Sequence, residues 1–532
     1  MNIQLKTYLL IISIFIGSFT IAQPNIGLLY SDINVEDGYT LFTPEKNTST
    51  YLINNCGEII NEWTFAEIPG LTCYLLDNGN LLRSGRDSLQ IRDWNNNIIW
   101  TYAMNSNGLK QHHDIEPLPN GNVLCLITDL YTNTEMIAEG RDPNSLSATF
   151  KLDKIVELQP VGTNSANIVW EWKFIDHFIQ DFDNTKANFG IVQNSPELID
   201  LNFNNGFNND YTHCNSIDYN ASLDQIIMSA RHLDEIYIID HSTTTIEAAG
   251  HTGGNSNMGG DILWRWGNPQ VYREGTATDQ KLFKQHDAKW VQSGYLDDGK
   301  ISVFNNGGNG ISLFSSIHLI EPEFTGGIYT KDTGKFKPLN FDWSWNGVIL
   351  GSTVYESKKS GVQSLVNGNL LICETGIGRF SEITKNGNHV WSYKNPTGTA
   401  IYNQFDIVTT DNGIFRAEKY PLNFIGFIGQ NLTPQGIIEN VNSLSDACIL
   451  SVDIEENSTE NISIINPIRN GILQFNNNTN YNNIKIIDLN GKLVFNHNDF
   501  EGNNIQLNLS RGMYFLQLLN DSKREILKIV VD

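Results

Sequence analysis

LDNGNLLRSG (residues 76–85), LPNGNVLCLI (118–127) and LVNGNLLICE (365–374) carry one pattern three times: an Asn-Gly turn followed by a run of leucine and β-branched residues. Asn-Gly supplies the positive φ angles that a tight hairpin turn needs, so each copy predicts a turn leading into an apolar strand. Further along, the units close on tryptophan: EIINEWTF with Trp63, NNIIWTY with Trp100, NIVWEWKF with Trp170 and Trp172, DILWRWG with Trp264 and Trp266, FDWSWN with Trp343 and Trp345, and NHVWSY with Trp391. Six strand-rich units with Gly and Asn turns and a closing aromatic strand predict an all-β chain: a six-bladed β-propeller of four-stranded blades around a central channel, over residues 23–440. Residues 131–210 and 242–283 read as insertions looping over one face. Residues 405–420 repeat the inner hairpin without a tryptophan strand and read as the segment that closes the ring against the N-terminal strands.

The chain has 532 residues, 40% of them hydrophobic, enough for a large core and more than one domain. A formal net charge of -24 argues against nucleic acid or an anionic membrane as partner, because both need clustered Lys and Arg. Lys6, the apolar run YLLIISIFIGSFTIA and the small Ala22 predict a signal peptide over residues 1–22, and hence an exported protein. No later run reaches the ~18 apolar residues of a membrane span. Six cysteines in an exported chain permit disulfides, whereas Cys125 and Cys373 lie in strand-like apolar runs and read as small buried thiols.

After about residue 440 the composition shifts to Asn, Ser and Glu, which predicts a linker over 441–457. ISIINPIRNGILQF, NIKIIDLNGKLVF, IQLNLSRGMYFLQLL and EILKIVVD then alternate as short strands, predicting a small β-sandwich over 458–532. In Asn466-Pro467, the DLNGK turn and SRGMYFLQL, this region resembles the C-terminal sorting domain (type A) of the type IX secretion pathway of Bacteroidetes. The resemblance implies an export tag for the type IX secretion machinery. The protein would then pass through the periplasm to the cell surface or the medium.

YTHCNSIDY (211–219) sets His213 and Asn215 two residues apart. Regular alternation along a strand puts both on one face, with Cys214 and Ser216 on the other. Such a pair usually marks a solvated face or a satisfied hydrogen bond. Its company suggests more. Aligned by their turns, the inner strands of successive units begin with His113-Asp114, with HCNSIDY and with His286-Asp287. Inner strands of a propeller run along the channel, so three histidines converge near the axis, joined by Arg231 from the strand that follows. Arg offers forked donors to a tetrahedral anion, Asn a neutral donor, and His can donate, accept or attack.

Through HHDIEPLPNGNVL, YTHCNSIDY, SARH, QHDA and SGVQSLVNGNLLICE, the chain from about residue 110 to about 420 resembles the bacterial arylsulfate sulfotransferases, six-bladed propellers that move a sulfuryl group between phenols without a nucleotide cofactor. The resemblance implies His286 as the nucleophile that becomes a transient sulfohistidine. It implies His213, Asn215 and Arg231 as the holders of the sulfuryl oxygens, and His113 as the acid/base. His112 is the alternative for that last role, and the alignment of His113 with His286 favours His113. An aryl sulfate donor, a phenolic acceptor, a ping-pong cycle and no metal or cofactor follow from the same resemblance. The chain departs from the periplasmic members in having no cysteine between Cys214 and Cys373, hence no short-loop disulfide before the nucleophile. It also leaves no room for their N-terminal β-domain, so their dimer is not assumed. Two other readings stay open: Zn²⁺ bound by the three histidines, opposed by the nearby Arg231, and a non-catalytic surface propeller that binds sulfated or anionic glycans.

Overall fold

The computed structural model describes residues 24–441 except 146–148 and 208, then 444 and 448, and in the C-terminal region 464, 468, 471–475, 482–488, 492–498, 500, 502–519 and 524–531. The expected leader, most of the 441–457 linker and Asn466-Pro467 lie outside the described residues. The chain divides into two compact units, Met1–Cys448 and Ile449–Asp532.

Among the described residues of the first unit, six antiparallel sheets of four or five strands follow one another along the chain. Their first strands are Ile414–Pro421, Pro69–Leu75, Gln111–Pro117, Cys214–Asn220, His286–Trp290 and Gly361–Ser364. The tryptophan strands are the fourth strands: Ile59–Thr64, Ile98–Ala103, Ser165–Lys173, Ile262–Trp266, Trp343–Trp345 and His389–Lys394. The repeated tryptophan has a use beyond packing. Its indole N–H donates to a backbone carbonyl of the following sheet: Trp63 to Asp93 (2.8 Å), Trp100 to Ser165 (2.8 Å), Trp172 to Gly260 (2.7 Å), Trp264 to Lys337 (2.8 Å) and Trp343 to Lys385 (3.0 Å). Trp391 of the sixth sheet donates to Asn55 of the first at 2.8 Å, so the six bonds form a cycle. A buried indole must find an acceptor, and here one residue type supplies both apolar bulk and the tie to its neighbour.

Both ends of the first unit are stitched into the cycle. Ile414–Pro421 pairs antiparallel with Gly38–Pro44, from Gly38 opposite Pro421 to Pro44 opposite Ile414, as expected of the closing segment, although its strand begins only at Ile414. Gly27–Ser31 adds a fifth strand beside His389–Lys394. The disulfide Cys56–Cys448 spans 392 residues and pins the end of the unit to the turn after Ser49–Ile53. Cys125 and Cys373 are buried free thiols, as are Cys73 and Cys214.

The expected insertions need correcting. Residues 131–210 contain Phe150–Val161 and Ser165–Lys173, the third and fourth strands of their sheet, and residues 242–283 contain the strand Ile262–Trp266. Phe150–Val161 stays in register with Val123–Tyr131 over nine pairs, so a long ladder occupies what had read as loop.

In the second unit, Leu493–Asn498, Asn483–Asp488, Gly512–Leu519 and Arg524–Val531 form a sheet in that order, and Ile472–Gln474 pairs with Asn504–Gln506. The two sheets share an apolar core that includes Leu473, Phe475, Ile484, Ile486, Leu516 and Ile529. Among the described residues, no helix is long and apolar enough to cross a membrane.

Candidate functional site

Four of the six first strands do not begin as regular strands. His113 (φ 53°), His213 (φ 47°), Asp287 (φ 57°) and Ser360 (φ 75°) all take left-handed backbone conformations at or just before a first strand. Register breaks accompany them, opposite Cys125/Ile127, between Cys214 and Ser216, and between His286 and Lys289. Bulges of this kind re-aim side chains, and non-glycine residues held at positive φ concentrate at functional sites. The break overturns the simple alternation expected for His213 and Asn215. His213 precedes its strand and keeps 24% of its side-chain surface exposed, whereas Asn215 sits in the bulge and is fully buried.

The structure brings the expected residues together. The His113 and His213 rings are 5.0 Å apart, and the Arg231 main-chain N–H donates to the His213 carbonyl at 3.3 Å. Arg231 lies just past the strand Gln225–Ala230, in the turn to Glu235–Asp240, rather than on the strand itself. Burial pushes its guanidinium down from the ordinary value, against the charges of Asp234 and Asp210. It makes no side-chain hydrogen bond or ion pair with the described residues. Asn215 Nδ2 donates to the Gln285 carbonyl at 2.8 Å, which ties it to the residue before His286, while its Oδ1 has no partner among the described residues.

His286 is 2% exposed. Its Nδ1 lies 2.7 Å from Asn306 Oδ1 and 3.1 Å from the Lys284 carbonyl, and the Lys359 main-chain N–H donates to its Nε2 at 3.1 Å. Both contacts at Nδ1 are acceptors, so Nδ1 carries the hydrogen and Nε2 the lone pair. Burial holds this imidazole well below its ordinary value, opposed by the bond to Asn306 and reinforced by the charges of Arg231, Arg416 and His213.

His112 and His113 are both in the site. Their Nδ1 atoms are 2.8 Å apart, and His112 Nε2 lies 2.9 Å from Asp153 Oδ1. Burial opposes ionisation of Asp153, but the charge and contact of His112, with bonds from the Cys214 N–H and the Thr212 hydroxyl, hold it well below the usual carboxylate range. Burial likewise holds His113 well below the ordinary imidazole value, helped by the charges of His112, His213 and His286. His213 Nδ1 rests on Asp210 Oδ2 at 2.6 Å.

Sequence reasoning missed Asp153, Asp210, Asn306 and Arg416. The aspartates of the His-Asp repeat proved structural: Arg416, from the closing strand, pairs with both Asp114 and Asp287 (2.9 Å) and donates to the Asn215 carbonyl at 2.8 Å. Asp114 also accepts the Ile217 N–H (3.1 Å), and Asp287 the Val362 N–H (3.0 Å), each from the neighbouring first strand. The repeated "HD" was the only signal for this floor.

At the other end of the first strands, Glu116, Asp218, Glu418 and Lys289 line a cavity of about 550 Å³. Burial pushes Glu116 and Glu418 up and Asp218 up to about 7. At the histidine end, Asp210, His213 and His232 bring ligand atoms within 4.8 Å of one another. There, however, the Arg231 charge adjoins His232, whose Nδ1 lies 2.6 Å from the Asp210 carbonyl. That arrangement weighs against a cation.

A family profile described as Arylsulfotransferase (ASST) matches residues 31–412, and one described as Secretion system C-terminal sorting domain matches residues 465–532. No curated protein matches the chain. Similar solved structures include a protein of unknown function from Bacteroides caccae, 14% identical, covering 68% of this chain and 94% of that one with a TM-score of 0.36. A streptogramin B lyase is 12% identical over 75% of this chain and 95% of that one, with a TM-score of 0.35. A catalytically inactive virginiamycin B lyase from Staphylococcus aureus with quinupristin is 9% identical over 75% of this chain and 89% of that one, with a TM-score of 0.32.

Proposed function

Because the chain belongs to the arylsulfotransferase family, we propose that it moves a sulfuryl group from a phenolic sulfate ester to a phenolic acceptor in two half-reactions, on a six-bladed propeller, with His286 as the carrier between them. The observation that carries this reading is Arg231: a partly buried guanidinium with no side-chain hydrogen bond or ion pair among the described residues, its charge felt by an imidazole whose Nε2 lone pair is fixed, in a chain of net charge -24. A partly buried guanidinium whose donors are not taken up by a carboxylate can offer its planar fork to an anion.

In the first half-reaction, His286 Nε2 attacks sulfur, an N–S bond forms and the S–O bond to the aryl group breaks. The Lys359 amide leaves Nε2 and turns to a sulfuryl oxygen, joining Arg231, Asn215 and His213 around the charge that spreads over the oxygens. The phenolate takes a proton from His113 Nε2. As it does so, the proton between the two Nδ1 atoms moves from His112 to His113, and His112 keeps its Nε2–H on Asp153. The second half-reaction reverses these moves with the acceptor phenol, whose proton returns to His113.

Purified protein given an aryl sulfate and a second phenol should release the first phenol and form the second ester in equal amounts. Absence of both across several aryl sulfates would leave an anion-binding surface module instead. The donor half-reaction should also keep its rate to below the ordinary histidine value of about 6.5. An imidazole held below that value stays neutral as pH falls through it, so its acid limb is displaced to lower pH. A limb at about 6.5 in the burst rate would contradict the assignment of His286.

The C-terminal match supports export to the cell surface or the medium. We read its two sheets as a sandwich that the type IX machinery recognises after a signal peptide has delivered the chain to the periplasm. In a host with that pathway, deletion of residues 449–532 should leave the first unit folded but held in the periplasm, as fractionation and blotting would show. Normal surface display after deletion would refute this.

A further inference from the structure

We infer that His177, His251 and Asp261 form a binding site for a divalent transition-metal ion of the zinc class, separate from the sulfuryl site. His177 ends the short 3-10 turn Phe174–His177 after the third sheet, and the other two lie between Glu235–Asp240 and Ile262–Trp266 of the fourth. His177 Nδ1 is 3.0 Å and His251 Nδ1 is 2.8 Å from the same carboxylate atom, Asp261 Oδ1, and all three ligand atoms lie within 4.8 Å of one another.

The hydrogen bonding of His177 points to a cation. Its Nε2 is 2.9 Å from the Ala248 carbonyl, which can only accept, so Nε2 carries a hydrogen and a neutral ring has its lone pair on Nδ1. That lone pair faces a carboxylate oxygen. Either a second ring proton or a metal ion must stand between them. The backbone carbonyl on the remote ring nitrogen is the outer contact that metal-bound histidines characteristically make, because it fixes the tautomer and the ring plane.

The surroundings are built around that ring. His177 is fully buried and stacks on Trp172 at 5.1 Å with an interplanar angle of 7°. At Gly260 a Cβ would fall 2.0 Å from the Ala248 carbonyl oxygen and 2.8 Å from His177 Cε1, so the residue beside Asp261 has no room for a side chain. Metal–ligand bonds of ~2.0–2.1 Å at tetrahedral angles set ligand atoms ~3.3 Å apart, so the two imidazole–carboxylate spacings of 3.0 and 2.8 Å are within a few tenths of an ångström of ligation. Two imidazoles and one carboxylate suit Zn²⁺, and nitrogen donors disfavour Ca²⁺ and Mg²⁺. His251, 58% exposed, leaves an entry path and a fourth position for water. The ion would clasp the connection after the third sheet to that of the fourth.

The test uses the full chain, freed of metal with a chelator and titrated with Co²⁺, then with Zn²⁺ in competition. One equivalent should bind with the strong visible absorption of four-coordinate Co²⁺ and quench Trp172. His251→Ala removes an exposed ligand without opening the core. It should weaken binding on the order of 10²-fold, with the fold and sulfuryl transfer unchanged. Asp261→Asn should do the same, and His213→Ala should leave the metal bound. The inference is overturned if the wild type binds no stoichiometric metal, or if binding survives His251→Ala and is lost in His213→Ala. The readout is metal binding, so its failure leaves the sulfuryl reading intact.

Discussion

Replacing His286 with asparagine should lower turnover of an aryl sulfate on the order of 10⁴-fold or more, with the protein still folded and still able to bind the donor. The loss is large because the imidazole is proposed to make the bond that divides the reaction, and removing a covalent nucleophile leaves only what the binding groups achieve alone. Asparagine keeps a polar side chain that can hydrogen-bond in the small space bounded by Asn306, Lys284 and Lys359. Steady-state kinetics alongside circular dichroism checks this. A variant that stays within ten-fold of the wild type would remove His286 from the chemistry.

Arg231→Ala should cost ~10²-fold or more in kcat/KM, the scale of deleting one fixed donor to a transition-state oxyanion. Thermal stability should barely change, because the guanidinium makes no ion pair with the described residues and its burial already disfavours the charge. Arg231→Lys should rescue poorly, since a point charge cannot present the planar fork. An activity loss matched by an equal loss of stability would make Arg231 structural. Near wild-type turnover in both variants would make the oxyanion assignment wrong.

Much of this site was legible because repetition marks it. The Asn-Gly turns and tryptophan strands announced the units, and the position of His113, His213 and His286 at corresponding strand starts announced the site. What repetition could not show is what long-range folding supplies. Asp153 and Asn306 come from second and third strands or the loops after them, with no pattern of their own, and they reach His112 and His286 only once the sheets are paired. The Cys56–Cys448 bridge joins residues 392 apart, and no spacing rule connects them. The bulges were invisible for a different reason: a period-2 reading assumes a regular ladder, and the strand starts break it to aim their side chains inward. The aspartates after His113 and His286 carried a true signal that belonged to the floor, where Arg416 binds both.

The most direct measurement of the central claim is mass spectrometry of the enzyme mixed with an aryl sulfate and no acceptor. The account predicts release of about one equivalent of phenol, then a stall, with a mass increase of roughly 80 Da, that of SO₃, on the peptide bearing His286; the group should be lost in acid and on adding a phenol. A label on His213 or His113, or continued transfer to a phenol with no labelled intermediate, would contradict it.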